Sequence, residues 1–260
     1  MDVSAYLARI RYEGSREPTA ETLRALQVAH LIAVPFENLD IPLGRPLHLG
    51  TEALFDKIVR RRRGGFCFEL NGLFAALLGE LGFHVDLLGA RVAREDGQYG
   101  IPSGHMTLRV YAPGSPVAWL ADVGFGDSFR EPLRLESPAE QADTSIADGR
   151  RFRISPLGDE MLYEMRESDG PWLPRYCFPL EPRPMEHFSG PCDYMRTSPD
   201  SPFTRRRICS RATPDGRVTL SDLKLIVTSK GRRTETPIRE EDYPVLLREH
   251  FGMELSGLAA

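Results

Sequence analysis

The sequence has few cysteines: four in 260 residues, and no two of them form a Cys-x-x-Cys pair. A zinc site built on paired cysteines is therefore not expected. A disulfide framework is not expected either, because the N-terminus has no basic stretch followed by an apolar block, which would mark a secretory signal. We expect reduced thiols and no bound metal. The four cysteines are Cys67, Cys177, Cys192 and Cys209.

Long apolar runs and a strong charge imbalance are also missing. No stretch approaches the ~18–20 apolar residues that a membrane-spanning helix needs. The formal net charge is -4, which gives no electrostatic reason to expect nucleic acid or an anionic membrane as a partner. With 41% hydrophobic and 27% charged residues, the composition is typical of a globular protein. We predict a cytoplasmic protein, and the sequence leaves its oligomeric state open.

Helical periodicity dominates the first third of the chain. Apolar residues recur at helical spacing over 21–34, 51–61 and 67–81, which predicts three helices. Thr19 is a suitable cap for the first of them, and Gly82 is a good stop for the third.

Strand patterns replace the helices after residue 82. The predicted strands are 85–92, 106–111, 117–123, 151–154, 161–165 and 175–178. Short strands separated by turn residues favour a barrel or a curled sheet. Turn signals at 214–216 and 230–232 predict two hairpins, and a helix from 240 to about 251 follows them. Helices, then strands, then a mixed end indicate the α+β class rather than a doubly wound parallel fold.

Cys67 is the first candidate for chemistry. It follows Gly64, Gly65 and Phe66 and opens the helix predicted over 67–81. A thiol at a helix N-terminus lies near unpaired backbone amides and the positive end of the helix dipole, and both favour the thiolate. The glycines permit a tight, unusual turn that would aim the side chain into a cleft. The alternative is a buried cysteine that packs as a small hydrophobe, which is how we interpret the other three.

A thiolate nucleophile needs a base, and His105 is the best placed of the six histidines because it starts an alternating strand on a rigid sheet. Asp122, in the apolar stretch 117–123, is expected to be partly buried, where a carboxylate needs a partner. A histidine N–H would be that partner and would fix the tautomer. The alternatives are a loop histidine bonded to backbone and an aspartate that ties down the turn at 124–126.

Two further features give weaker signals. The Gly-Phe-Gly turn at 124–126 would let a phosphate or a thioester arm approach the backbone closely, although it lacks the Gly-Lys-Ser/Thr ending of a nucleotide loop. The four arginines at 60–63 end a predicted helix, and we interpret them as a solvated run that favours the helix dipole, with the holding of anionic phosphates as the alternative. In a chain that is acidic overall, they do not indicate nucleic-acid binding.

Several stretches together resemble the arylamine N-acetyltransferase family. They are Pro35-Phe36-Glu37-Asn38-Leu39, Arg63-Gly64-Gly65-Phe66-Cys67-Phe68-Glu69-Leu70-Asn71, Ser103-Gly104-His105-Met106, Ala121-Asp122-Val123-Gly124-Phe125-Gly126, and Tyr194-Met195-Arg196-Thr197-Ser198-Pro199 through Phe203. The Arg-Gly-Gly-aromatic-Cys motif is specific, and the histidine and aspartate segments follow it in the right order. The resemblance covers about residues 1 to 220, and the final helix matches only in general character.

The resemblance implies a helical bundle, a central antiparallel β-barrel and an α/β lid on a cysteine-proteinase-like core, which we place at 1–84, 85–190 and 191–260. It implies a triad of Cys67, His105 and Asp122, with acetyl-coenzyme A as donor and arylamines or hydrazines as acceptors. The residues it implies near the coenzyme and acceptor are Ser103, Gly104, Phe125, Gly126, Tyr194 and Ser201. The aromatic residues that we predict to line the acceptor site are Phe36, Phe66, Phe125 and Phe129.

The predicted activity is acetyl transfer from acetyl-coenzyme A to an aromatic amine through an acetyl-cysteine, with ping-pong kinetics and a role in the metabolism of foreign amines. Three alternatives remain. A cysteine hydrolase would use the same triad without coenzyme A. An amide synthase of the same family would bind a long acyl chain during biosynthesis of an aromatic-amine product. An interaction module would carry a cysteine of ordinary reactivity.

Overall fold

The N-terminal part of the chain is helical. A computed structural model describes residues 1–137, 139–146 and 148–255. Its first elements are α1 (Val3–Arg9), α2 (Ala20–Ala33), β1 (Phe36–Glu37), α3 (Thr51–Phe55), a π-helical turn (Asp56–Arg60) and α4 (Cys67–Glu80). The three predicted helices are confirmed, including the cap at Thr19, whose side chain accepts from the Thr22 amide. No helix in the described part of the chain combines the length and apolar character needed to cross a membrane.

The middle of the chain forms a nearly closed barrel. Its strands are β2 (His84–Val92), β3 (His105–Tyr111), β4 (Ala118–Ala121), β5 (Leu133–Arg134), β6 (Arg150–Leu157), β7 (Glu160–Glu167) and β8 (Leu173–Pro179). They pair antiparallel in the order β5-β4-β3-β2-β8-β7-β6. Gln141 joins the two edges, because its backbone pairs with Phe152 and its side chain bonds the backbone of Arg134. The predicted α+β class with a barrel is confirmed.

A second antiparallel sheet follows the barrel. The remaining elements are a 3₁₀ turn (Met185–Phe188), α5 (Ser189–Thr197), α6 (Pro202–Arg205), β9 (Ile208–Thr213), β10 (Gly216–Ser221), β11 (Lys224–Ser229), β12 (Arg232–Pro237), a 3₁₀ turn (Glu240–Asp242) and α7 (Tyr243–Phe251). Both predicted hairpins and the last helix are confirmed. The strand order is β1-β9-β10-β11-β12, so the sheet begins with a strand from the helical region and ties that region to the C-terminal one.

Helix α4 is the centre of the molecule. Leu70, Leu73, Phe74, Leu77 and Leu78 are all fully buried, since the helix packs against α3 on one side and against β2 and β3 on the other. Burying each such side chain contributes about 1.5–3 kcal/mol. The N-terminus of α4 is therefore held rigidly next to the ends of the barrel strands.

Candidate active site

Cys67 is the first residue of α4. The two glycines before it let neighbouring groups approach the backbone closely, and they do not form an unusual turn. Neither Gly64 nor Gly65 has a positive φ. A Cβ on Gly64 would lie 2.0 Å from the Pro35 carbonyl oxygen, and one on Gly65 would lie 2.8 Å from Glu69. The segment can thus pair with β1, where the Glu37 amide donates to the Gly65 carbonyl at 2.8 Å. The expectation of a special backbone conformation was wrong; close packing demands the glycines.

Buried charges hold this segment in place. Arg63 donates to Glu37 (2.9 Å) and Asp40 (3.0 Å), and Lys57 contacts both Asp40 and Glu69 at 2.7 Å. The other Glu69 oxygen accepts from the Phe66 amide at 3.2 Å, which fixes the residue before the cysteine. The interpretation of 60–63 as one solvated run is wrong at Arg63, which is 4% exposed, because its guanidinium is needed by two buried carboxylates.

His105 and Asp122 come from adjacent strands of the barrel. His105 starts β3, and Asp122 follows β4, so the strand ends bring the two side chains together. The Nε2–H of His105 donates to Oδ2 of Asp122 at 2.6 Å, and Cys67 lies close enough to influence the charge on the ring. All three residues are at most 3% exposed. The structure therefore brings the sulfur close to an imidazole that is hydrogen-bonded to a buried carboxylate.

The protonation of His105 follows from its neighbours. Burial by itself would lower the pKa of the imidazole, but the Asp122 carboxylate, with a smaller contribution from Cys67, raises that pKa to about 10. The ring is consequently an imidazolium at neutral pH, and a positive group beside a thiol favours the thiolate.

Asp122 is the most heavily bonded carboxylate of the site. Besides the His105 bond, it accepts from Asn71 Nδ2 (2.9 Å), the Gly124 amide (2.9 Å) and the Tyr176 hydroxyl (3.1 Å). Gln27 accepts from the Asp122 amide at 3.1 Å. These bonds satisfy the oxygens of the buried carboxylate and fix its orientation.

Sequence reasoning missed Asn71, Tyr176 and Gln27. Asn71 could have been found from the sequence, because it lies four residues after Cys67 and residues four apart on a helix share a face. Tyr176 and Gln27 come from distant segments, and nothing in their local pattern signals a contact with Asp122.

A cleft of about 420 Å³ opens onto Cys67 and His105. Four of the predicted contact residues line it: Phe36, Gly104, Phe125 and Tyr194. Further apolar walls come from Ile101, Met195 and Phe203, and the cationic residues of the lining are Arg94 and Arg175. The Arg175 guanidinium lies 5.2 Å from the centre of the Phe125 ring. The cleft thus combines aromatic walls with positive charge.

The other predicted contact residues lie outside the lining of this cleft. Phe66 is fully buried against Phe68 and Phe203, and Phe129 packs inside the barrel. Ser103 bonds His187 at 2.9 Å, and Ser201 caps α6. The fifth of them, Gly126, lines a neighbouring pocket of about 270 Å³ that shares Phe36, Phe125 and Ile208 with the cleft.

The reactive groups of the cleft are a thiol and an imidazole. A thiolate beside an imidazolium, at a helix N-terminus and open to a cleft, can attack a carbonyl carbon and form a covalent intermediate. No group of three or more His, Cys, Asp or Glu side chains within the described residues is arranged to hold a metal ion.

Comparisons with known proteins agree with this arrangement. Residues 19–259 match the model of a family described as N-acetyltransferase. The arylamine N-acetyltransferase of Mycolicibacterium smegmatis is 38% identical, with 100% of this chain and 94% of that protein covered. Human arylamine N-acetyltransferase 1 is 36% identical over 83% of this chain and 79% of its own length.

Solved structures give the same result. The arylamine N-acetyltransferase of Mycobacterium marinum superimposes with a TM-score of 0.91 at 33% identity, covering 100% of this chain and 95% of that chain. A structure of the same enzyme in complex with CoA has a TM-score of 0.90 at 33% identity, with 100% and 95% covered.

Proposed function

The chain belongs to the arylamine N-acetyltransferase family, and we propose that it transfers acetyl from acetyl-coenzyme A to the nitrogen of arylamines or arylhydrazines through an acetyl-Cys67 intermediate. The observation that carries this proposal is that Cys67 and His105 line one cleft while the buried Asp122 accepts a hydrogen bond from His105 at 2.6 Å. The M. marinum relative in complex with CoA supports coenzyme A as the donor.

The first half-reaction is a thioester exchange. The Cys67 thiolate attacks the acetyl carbonyl, and the oxyanion that forms is stabilised by the free backbone amides of the first turn of α4. The C–S bond to coenzyme A then breaks, and the His105 imidazolium gives its proton to the departing thiolate. Exchange of one thioester for another is close to neutral in energy, so positioning of the atoms sets the rate.

The second half-reaction returns the enzyme to its starting state. An amine attacks acetyl-Cys67, the C–S bond breaks, and His105 takes the proton from the amine nitrogen as the thiolate leaves. Acetylation removes the Cys67 negative charge, one of the causes of the raised His105 pKa. The ring therefore gives up its proton more readily in the intermediate than in the resting enzyme, and it is more available as a base. Because one cleft serves both substrates in turn, ping-pong kinetics follow.

The cleft lining supports a division of roles between donor and acceptor. Arg94 is exposed and has no ion pair with the described residues, and Arg175 has none either. We assign both to the coenzyme phosphates. Phe36, Phe125 and Tyr194 would flank the acceptor ring, which suits an arylamine because it is apolar and stays neutral and nucleophilic near pH 7.

The remaining predicted residues have supporting roles in this proposal. Phe66 and Ser201 would hold the cleft walls, and Ser103 would hold the turn before His105. Gly126 would meet the coenzyme in the neighbouring pocket, and Phe129 would shape the loop after Asp122 from within the barrel. The division at 84 and 190, the cytoplasmic location and the role in metabolism of foreign amines stay predictions of the sequence.

The proposal is tested by trapping the intermediate. The protein is mixed with acetyl-coenzyme A without amine, quenched rapidly and digested, and we expect one acetyl group, on Cys67. Cys67→Ala should accept none, whereas Cys192→Ala, which removes a buried thiol outside the cleft, should be acetylated like wild type. Adding an aniline or an arylhydrazine should discharge the adduct to an N-acetyl product. Release of free acetate instead would indicate the hydrolase, and absence of any Cys67 adduct would overturn the proposal.

A further inference from the structure

A second cavity lies apart from the cleft. It has a volume of about 440 Å³ and shares no lining residue with the catalytic cleft. Its walls come from the C-terminal ends of four helical segments: α1, α2, the π-helical turn after α3, and α7. Strand β9 supplies a further wall through Arg211.

Five arginines line this cavity against one carboxylate. The carboxylate is Glu249, and the arginines are Arg9, Arg11, Arg62, Arg211 and Arg248. Among the described residues, only Arg248 has an ion-pair partner, Glu254 at 4.0 Å. The cavity therefore concentrates positive charge in a way that the rest of the molecule, whose formal net charge is -4, does not.

Two of the arginines are fixed by backbone carbonyls. Arg9 is 5% exposed and donates to the carbonyls of Ile58 (2.9 Å) and Ala33 (2.8 Å). Arg211 donates to the carbonyls of Ile32 (3.0 Å) and His250 (2.6 Å). These bonds satisfy free carbonyls at helix ends, and they hold both guanidinium groups rigidly. The buried Nε of Arg211 has no hydrogen-bond partner.

The helix ends do not balance the remaining charge. Each C-terminal end carries about half a negative charge. The four helix ends and Glu249 together offset about three of the five arginine charges. Glu254, the partner of Arg248, does not line the cavity. The mutual repulsion is visible at Arg9, whose pKa is lowered to about 10 by burial first and by Arg62 second.

Arg11 and Arg62 occupy positions where glycine would be the easier choice. Both directly follow a helical end in the left-handed region, with φ of 56° and 53°, and a residue with a Cβ is strained there. Both are exposed, and neither is paired with a described carboxylate. Helix capping explains Arg9 and Arg211 but leaves these two without a structural reason.

We propose that this cavity binds a phosphate group, either free or as the ester of a small metabolite. Guanidinium groups match the geometry of phosphate oxygens and form strong charge-assisted hydrogen bonds with them. The rigid Arg9 and Arg211 would form the floor of the site, and Arg11, Arg62 and Arg248 would close over the anion from the rim. The inference is independent of the proposed acetyl transfer.

The test is calorimetric titration of the full chain with inorganic phosphate, pyrophosphate and glycerol phosphate in turn, at constant ionic strength. We expect one saturable site and a higher thermal midpoint with the bound anion. Tighter binding of the ester than of inorganic phosphate would identify the ester as the ligand class, and the reverse order would identify free phosphate.

The variants separate this site from the cleft. Arg11→Gln with Arg62→Gln keeps the strained backbone and removes only charge, so affinity should fall by about tenfold or more. Arg232→Gln removes an exposed arginine of β12 that has no ion pair with a described residue and should leave affinity unchanged. Absence of saturable binding by all three anions would overturn the proposal. Binding that survives the double variant but is lost in Arg94→Gln would place the anion in the cleft and overturn it as well.

Discussion

The catalytic cleft and the helical region behind the arginine cavity each bury a histidine completely, and the two rings are in opposite states. His105 is held by Asp122, which raises its pKa to about 10 against the effect of burial. His30 bonds the Tyr6 hydroxyl at 2.8 Å, and burial, with help from Arg9, lowers its pKa to about 3. A single ionised carboxylate within hydrogen-bonding distance therefore decides whether a buried imidazole is charged.

The same contrast holds for the arginines of the two regions. Arg63, in the segment before Cys67, is paired with Glu37 and Asp40, while Arg9 and Arg211 in the cavity donate to backbone carbonyls. The charged groups next to Cys67 are thus paired with one another, as the preorganisation of the proposed active site requires. The cavity keeps uncompensated charge, as a site that awaits an anionic ligand would.

Removing the carboxylate should convert His105 into a ring like His30, and this substitution should have the largest effect on activity. In Asp122→Asn, burial would dominate, the imidazole would be neutral at pH 7, and Cys67 would lose its stabilising cation. We expect the rate of Cys67 acetylation to fall on the order of 10³–10⁴-fold. The readouts are quenched-flow acetylation and the pH dependence of iodoacetamide labelling of Cys67.

A surface variant provides the control for this change. Asp193→Asn alters an exposed carboxylate on α5 that pairs with Arg196 at 3.1 Å, and its acetylation rate should match wild type. If Cys67 of the Asp122→Asn variant is acetylated at the wild-type rate, the charge of Asp122 does not activate the thiol. The difference between the two histidines would then have no bearing on catalysis.

The sequence pointed to Cys67, His105 and Asp122 more readily than to the residues that hold them in place. Motif order and local pattern singled out Cys67, His105 and Asp122, and the structure brings them together where α4 and β3 begin and β4 ends. The buried network around Lys57, and the role of Tyr176, depend on contacts between segments far apart in the chain. Such contacts leave no periodic signal, so a run such as 60–63 cannot be divided by pattern alone into its exposed arginines and the buried one.

Some of the predicted contacts failed to reach the cleft for a similar reason. Phe129 follows the glycine turn closely, yet its ring packs edge-on against Tyr163 in the barrel, 5.2 Å between centroids. Proximity along the chain places a residue near a site, but the direction of its side chain is set by the strand or turn that carries it.

The burial of His30 in its neutral form predicts that the protein loses stability at acid pH. Its folded pKa of about 3 lies below the unfolded value near 6.5, so the unfolded chain binds more protons as the pH falls below about 6.5, and stability is lost there. Between pH 6.5 and pH 5 the loss due to this ring should be about 1.6 kcal/mol. His30→Gln cannot titrate, and it should flatten this part of the stability profile in urea unfolding at several pH values.

An exposed histidine provides the comparison for His30. His48 is exposed, so His48→Gln should leave the slope between pH 5 and pH 6.5 as in wild type. An unchanged slope in His30→Gln would mean that the ring is not held neutral, and the assignment of opposite states to the two buried histidines would be wrong.

The smallest expected effect is on stability. It measures how much the uncompensated positive charge of the cavity destabilises the protein when no ligand is bound. Arg62→Gly relieves the backbone strain of a left-handed conformation, and it removes one of five clustered guanidinium groups. Both changes should raise the free energy of unfolding, by about 0.5–1 kcal/mol in total. Lys230→Gly is the matched change outside the cavity, since Lys230 has a φ of 50° in the exposed turn between β11 and β12 and its charge is not among the clustered arginines. The gain at Arg62 beyond that at Lys230 is the repulsion among the arginines, and it should shrink as salt screens the charges. Equal gains at both positions in low salt would mean that the cavity carries no excess charge for an anion to neutralise.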